Sequence, residues 1–148
     1  LHSFPTRRSS DLLLLCLLVM SSSLVLAYSS TTSYNKYGQK VGSYRTKGST
    51  TTSYDRYGTK TGTIRKTSSG YTTYDKYGTK TGTARKTSSG YNTYDKYGTK
   101  TGSYRTNSSG VTTHYNKYGQ KTGSYRTTST GVTRYNKSGS KVGSYRYR

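Results

Sequence analysis

The chain has 148 residues, with 25 Lys and Arg against four acids and a formal net charge of +21. Only 27% of it is hydrophobic, and 19 residues are Tyr, so a conventional aliphatic core is excluded. One cysteine excludes an internal disulfide framework, and so few acids leave little from which to build an acid–base or metal centre.

In chain order, the first segment is HSFPTRRSSDL, from His2 to Leu12. It resembles the conceptual translation of a short-read sequencing adapter, and residues 1–11 are set aside as non-native. Residues 12–27, LLLLCLLVMSSSLVLA, read as the apolar region and small-residue cleavage site of a secretory signal. At sixteen residues the stretch is shorter than the roughly 20 that a spanning helix needs. Cleavage after Ala27 would place the remainder outside the cell or in the periplasm. Cys16 lies in this stretch behind leucines, not behind the small residues of a lipoprotein signal, and residues 28–148 contain no cysteine.

Setting aside Arg7, Arg8 and Asp11 leaves 23 cations, three acids and a net charge of +20 for residues 28–148. Val41, Ile64, Val111, Val132 and Val142 are the aliphatic residues larger than Ala that remain. Low hydrophobicity with high charge leans toward disorder. Tyrosine is the counterweight, because its ring buries a large area while its hydroxyl keeps a hydrogen bond.

This region repeats every twenty residues or so, with Tyr34, Tyr54, Tyr74, Tyr94, Tyr115 and Tyr135 opening each copy. In the copy from Gly90 to Asn107, Asp95-Lys96-Tyr97-Gly98 has Asp first and Gly fourth, the chemistry of a type I turn. Asp55 with Gly58 and Asp75 with Gly78 repeat it. Strands rich in Tyr and Thr flank the turn, Tyr91 to Tyr94 before it and Thr99 to Thr106 after it, so each copy predicts a β-hairpin. Ser-Ser-Gly at 68–70, 88–90 and 108–110, and Ser-Thr-Gly at 129–131, read as links. The expected fold is therefore all-β: six tandem two-stranded antiparallel hairpins across residues 28–148, closed as a ring or extended as a ribbon. The extra residue His114 predicts a bulge before the fifth turn.

Tyr44, Ile64, Ala84, Tyr104, Tyr125 and Tyr145 occupy a variable position that predicts the buried face. Strict alternation puts Lys100 and its equivalents on that same face, an awkward neighbour for a core unless the stems lie along the sheet. The mid-strand glycines Gly42, Gly102, Gly123 and Gly143, each two residues before a Tyr, suggest that tyrosines of adjacent hairpins cover them.

The pattern Tyr-Asp-x-x-Gly-x-x-x-Gly-x-x-Arg, repeated over residues 34–148 behind a signal-like segment, resembles the small secreted bacterial hairpin-repeat proteins called β-flower proteins. It is also similar to the YD-repeat of bacterial surface and toxin-delivery shells. Both resemblances imply antiparallel hairpins and bacterial export, and neither brings a catalytic residue with it. This chain departs from them in being more basic and poorer in aliphatics.

Nothing in the sequence assembles a catalytic centre, a metal site or a cofactor site. Asp55, Asp75 and Asp95 share a turn position with Asn35, Asn116 and Asn136, and a residue exchangeable with Asn is a turn former, not a base. His114 is the single His of residues 28–148. Gly-x-x-x-Gly precedes no helix that could hold a phosphate. Two Asn-x-Ser matches, at Asn107 and Asn136, are expected by chance in so Ser-rich a chain.

What remains are rows of cations. Lys40, Lys60, Lys80, Lys100, Lys121 and Lys141 hold one position, and Arg45, Arg65, Arg85, Arg105, Arg126 and Arg146 follow five residues later. One reading is a solvated face that keeps a Tyr-rich repeat soluble and blunts edge-to-edge strand pairing. The other is a ladder of charge beside aromatic rings, suited to anionic polysaccharide, envelope phosphates or extracellular nucleic acid. The sequence thus predicts a secreted, non-enzymatic repeat protein making multivalent contacts with anionic polymers. The alternative is a Tyr- and Lys-rich structural or adhesive protein, largely disordered in solution.

Overall fold

The computed structural model describes residues 28–148 as twelve antiparallel strands in consecutive hairpins. The expectations for residues 1–11 and 12–27 lie outside the described residues. The hairpins are β1 (Tyr28–Asn35) with β2 (Lys40–Lys47), β3 (Thr50–Asp55) with β4 (Lys60–Thr67), and β5 (Gly70–Asp75) with β6 (Lys80–Thr87). They continue with β7 (Gly90–Asp95) and β8 (Lys100–Thr106), β9 (Val111–Asn116) and β10 (Lys121–Thr128), and β11 (Gly131–Asn136) and β12 (Lys141–Tyr147). Each strand pairs with its chain neighbours, and β12 returns to pair with β1, making a closed barrel. Ser33 faces Tyr145 across that seam, and the Arg148 N–H donates to the Ser30 carbonyl at 2.9 Å. Of the two arrangements open to the hairpins, the ring is adopted.

The turns form as their chemistry dictates. The Gly98 N–H donates to the Asp95 carbonyl at 3.2 Å, and the Asp95 N–H donates to the Thr99 carbonyl at 2.9 Å, leaving a three-residue loop. Such a loop needs a left-handed residue at its end, and Gly98 supplies it with φ +88°. One carboxylate oxygen of Asp95 accepts the N–H groups of Tyr97 and Thr99, both at 2.9 Å. Asn35 and Asn116 accept the equivalent pairs and pass their spare amide hydrogens to Gln39 and Gln120, at 2.8 and 2.9 Å. Asn35 and Asn116 thus travel with Gln four residues later and the three Asp with Thr, while Asn136 is followed by Ser140, whose N–H it accepts at 2.9 Å.

A register shift in every hairpin decides which wall each side chain faces. In the fourth hairpin Thr93 pairs with Gly102 but Tyr94 pairs with Lys100, so Thr101 is an extra residue in β8. The same offset recurs between Ser33 and Tyr34, Ser53 and Tyr54, Thr73 and Tyr74, and Arg134 and Tyr135, and in β10 it falls between Lys121 and Gly123. Strict alternation is thereby broken. Lys100 and its equivalents join the outer wall, and the extra residues turn inward, where Thr101 donates to the Thr93 hydroxyl at 2.9 Å. Equivalent pairs join Ser53 to Thr61 and Thr73 to Thr81 at 2.7 and 2.8 Å.

The inner wall then holds the expected variable position. Ile64, Ala84, Tyr104, Tyr125 and Tyr145 are buried, with Tyr71 and Val132 beside them and Tyr44, Tyr91 and Tyr147 packed against the cluster. At several rungs large faces small, Tyr71 opposite Ala84, Ile64 opposite Thr51 and Tyr145 opposite Val132, whereas Tyr91 faces Tyr104 and Tyr104 faces His114. No buried side-chain polar atom among the described residues lacks a hydrogen-bond partner.

Two expectations are corrected. The mid-strand glycines are required by backbone, not by a covering tyrosine: a Cβ on Gly62 would stand 2.7 Å from the Tyr74 carbonyl oxygen, and one on Gly102 would meet the Tyr115 carbonyl. A side chain near Gly102 is that of His114, a histidine and not a tyrosine. Nor does the extra residue in the fifth copy make a bulge of its own. It enlarges the link before β9, where the Asn107 side-chain oxygen accepts the N–H groups of Ser109 and Val111 at 3.1 and 3.0 Å, repeating the Asp turn.

Two substitutions test this account by thermal and denaturant unfolding. Gly102→Ala, which adds only the Cβ, should already cost about 1–3 kcal/mol, the usual range for overpacking. Asp95→Asn should be neutral within about 0.5 kcal/mol, whereas Asp95→Ala should cost about 1–2 kcal/mol, since two N–H groups lose their acceptor. Equal costs for Asn and Ala would refute the shared turn role.

Candidate functional site

All twelve cations singled out by the sequence, Lys40 through Arg146, are exposed. Lys and Arg five residues apart would face opposite ways on a regular strand, and the offset in each hairpin brings them to one wall. Each outer Tyr pairs in register with a Lys of its own hairpin: Tyr34 with Lys40, Tyr54 with Lys60, Tyr74 with Lys80, Tyr94 with Lys100, Tyr115 with Lys121 and Tyr135 with Lys141.

The arginine of each unit reaches across the link to the Tyr of the next. Arg45 lies over Tyr54, Arg65 over Tyr74, Arg85 over Tyr94 and Arg105 over Tyr115, with the guanidinium carbon 5.1–5.3 Å from the ring centre. Arg146 lies 5.0 Å over Tyr34 and so repeats the contact across the barrel seam. Arg126 and Tyr135 hold the corresponding register positions on β10 and β11. The outer wall is thus a girdle of Arg–Tyr–Lys triads, each assembled from two hairpins. A cation–π contact at an exposed site contributes about 0.5–1 kcal/mol and orients the side chain while leaving guanidinium N–H groups for a ligand.

A second cationic set caps one end of the barrel. Tyr37, Tyr57, Tyr77, Tyr97 and Tyr118, at the hairpin tips, are 75–82% exposed. The preceding Lys or Arg of each covers its ring at 4.6–4.9 Å. Sequence reasoning did not single out these tips, although the Lys-Tyr-Gly run inside each turn exposes a ring by necessity. The Asp carboxylates at the same end are bound to their own turns.

Closure bears on the alternative role of the cations. A closed barrel has no strand edge to guard, so that reason for the charge rows falls away. Comparison with protein-family models, curated proteins and solved structures finds no match.

Inside the turn end lies an inner ring of Ser33, Ser53, Thr73, Thr93, His114 and Arg134, each opposite a mid-strand glycine. His114 stacks on Tyr104 with ring centres 4.4 Å apart, and its Nδ1 lies 2.6 Å from the Thr122 hydroxyl. Burial pushes its pKa below the ordinary 6.5, because the charged imidazolium is poorly solvated there. Arg134 donates to the Tyr145 hydroxyl at 3.2 Å. Burial likewise pushes the Tyr147 hydroxyl above the usual tyrosine range.

The lowered pKa of His114 carries a pH dependence of known sign. The unfolded chain takes up a proton first, so the stability that neutral His114 contributes is complete well above 6.5 and declines as the pH falls below it. Compared with His114→Thr, the residue that the third and fourth copies carry here, the wild type should lose stability faster between about pH 7 and 5. Parallel stability curves for the two proteins would show that the histidine is solvated after all.

Proposed function

We propose that this is a non-enzymatic, exported repeat protein whose outer wall binds anionic polymers: acidic polysaccharide, envelope phosphates or extracellular nucleic acid. The observation that carries this reading is the girdle of Arg–Tyr–Lys triads repeated around a closed wall. Successive triads are two strands apart, about 9–10 Å along the wall. That is close to the screening length of about 8 Å at physiological salt, so each triad attracts anions nearly independently. One triad alone would bind weakly. A polymer long enough to engage several gains by effective concentration, the regime in which a repeated site outperforms a single pocket.

The outward face supports work in water. It carries Lys, Arg, Thr and the rims of Tyr rings, in contrast to the apolar band of a membrane barrel. Among the described residues, no helix is long and apolar enough to cross a membrane. The signal-like residues 12–27 support export.

The tip tyrosines favour a second reading, an adhesive or structural protein that makes surface contacts through exposed rings and adjacent cations. Thermal melts of residues 28–148 separate its disordered form from the barrel reading: the barrel predicts a cooperative transition, and a flat melt would favour a disordered adhesive.

Titration with heparin and with a single-stranded oligonucleotide at several salt concentrations tests the leading reading. Affinity should fall linearly on a log–log plot, and replacing Lys60, Lys80, Lys100 and Lys121 with Gln should flatten the slope by about 0.7 per lost contact. Binding that ignores salt, or a quadruple variant with an unchanged slope, would overturn it.

A further inference from the structure

We infer that the link end of the barrel interior is a separate binding site for a small anion carrying a flat ring, an aromatic or sugar phosphate or carboxylate, held by Lys66 and Lys86 with its ring against Tyr71 and Tyr91. This does not rest on the outer wall. It rests on where the inner wall departs from the repeat.

Counted by register, the inner position nearest the links is Thr46, Lys66, Lys86, Thr106, Thr127 and Tyr147 in successive hairpins. The position facing it on the following strand is Thr51, Tyr71, Tyr91, Thr112 or Val132 for the first five of these. Lysine thus occurs at two places in the first row and tyrosine at two places in the second, and they coincide: Lys66 pairs with Tyr71 and Lys86 with Tyr91. A third departure completes the cluster. β6 runs between β5 and β7 and carries Ala84, the smallest residue of its row, directly opposite Tyr71. With no large side chain between them, the Tyr71 and Tyr91 rings meet over it, 5.6 Å apart at 54°.

Lys66, Lys86, Tyr71 and Tyr91 line an opening of about 670 Å³, which also takes in Tyr104, Thr106 and Thr112. The volume falls within the usual range of roughly 300–1,000 Å³ for a small-molecule site. Among the described residues its lining holds two cations and no acid, and Asp55, Asp75 and Asp95 stand at the opposite, turn end. Lys66 and Lys86 are exposed at this mouth and Tyr91 is half-buried beside the buried Tyr71, so an anion entering here would meet both cations over the accessible part of the ring pair. A neutral ring would gain only the ring pair, and a bare anion only the charges. The combination selects a ligand that has both.

Calorimetric titration with 1-naphthyl phosphate, 1-naphthoate, inorganic phosphate and neutral 1-naphthol tests this site at low salt. The two naphthyl anions should bind with a stoichiometry of one, and the relative strength of the pair tells phosphate from carboxylate preference. Phosphate alone and naphthol should each be weaker by at least about tenfold. The double variant Lys66→Met/Lys86→Met should lose at least about tenfold in affinity, while Lys60→Met/Lys100→Met, which removes equal charge from the outer wall, should change it less than about twofold. Chemical-shift changes in the wild type, which need no variant to fold, should centre on Tyr71 and Tyr91. Equal losses in both double variants, several equivalents bound, or shifts spread over the outer tyrosines would overturn the inference. Because polymer binding is read from the outer lysines and ring-anion binding from the inner pair, either can fail without the other.

Discussion

One extra residue in the second strand of every hairpin assigns each side chain to its wall. Side chains on a strand alternate faces with a period of two, so an inserted residue exchanges the walls for everything beyond it. Here the exchange falls between Lys100 and Gly102 and between their counterparts. On the turn side of it, Lys pairs with an outward Tyr. On the link side, Tyr104, Ile64 and the like face the core. Without the offset, six ammonium groups would enter the barrel, and burying a charge without a partner costs far more than this thin core could supply. The offset also places Arg on the outer wall with Lys, which produces the cationic girdle.

Closure is the second constraint. Seven buried apolar or aromatic side chains among the described residues are a small core for twelve strands, so much of the order must come from backbone ladders and the hydroxyl pairs that line the barrel. A ladder stabilises only where both partners exist, and an open array of six hairpins would leave two unpaired edges. Pairing β12 with β1 removes both and lets Arg146 lie on Tyr34 as its equivalents do elsewhere. The same ring holds a net charge of +20 on residues 28–148, and the self-repulsion of that charge opposes compaction. A polyanion on the outer wall would relieve this strain as well as bind, which couples the proposed function to stability.

Much of this was legible in the sequence. Asp95 and Gly98 specify their turn through local chemistry alone, the links show as Ser-Ser-Gly, and the variable position is buried from Ile64 to Tyr145 and partly buried at Tyr44. What was illegible depends on two strands at once. The offset at Thr101 has no signature in its own strand, because it exists only relative to Thr93 and Tyr94 across the ladder. The reason for Gly102 lies in a carbonyl of the next hairpin. His114 looks like an insertion in alignment, yet the enlarged Asn107 link absorbs the added length and leaves the histidine at an ordinary inner position. Local rules predict turns, whereas cross-strand geometry assigns walls.

The two walls differ in how strictly they repeat. Outside, Tyr, Lys and Arg recur at every unit, which suits a partner that is itself periodic and makes no use of any one copy. Inside, the copies diverge: Ala84, Lys66, Lys86, Tyr71 and Tyr91 depart from their rows in adjoining strands, and His114 and Arg134 replace Ser or Thr at the other end. Core packing explains some divergence, as where Ala84 leaves room opposite Tyr71. It does not explain two lysines in a row whose other members are three threonines and Tyr147. Divergence that places charge and aromatic rings together at one mouth is the pattern expected of a single asymmetric site inside a symmetric shell.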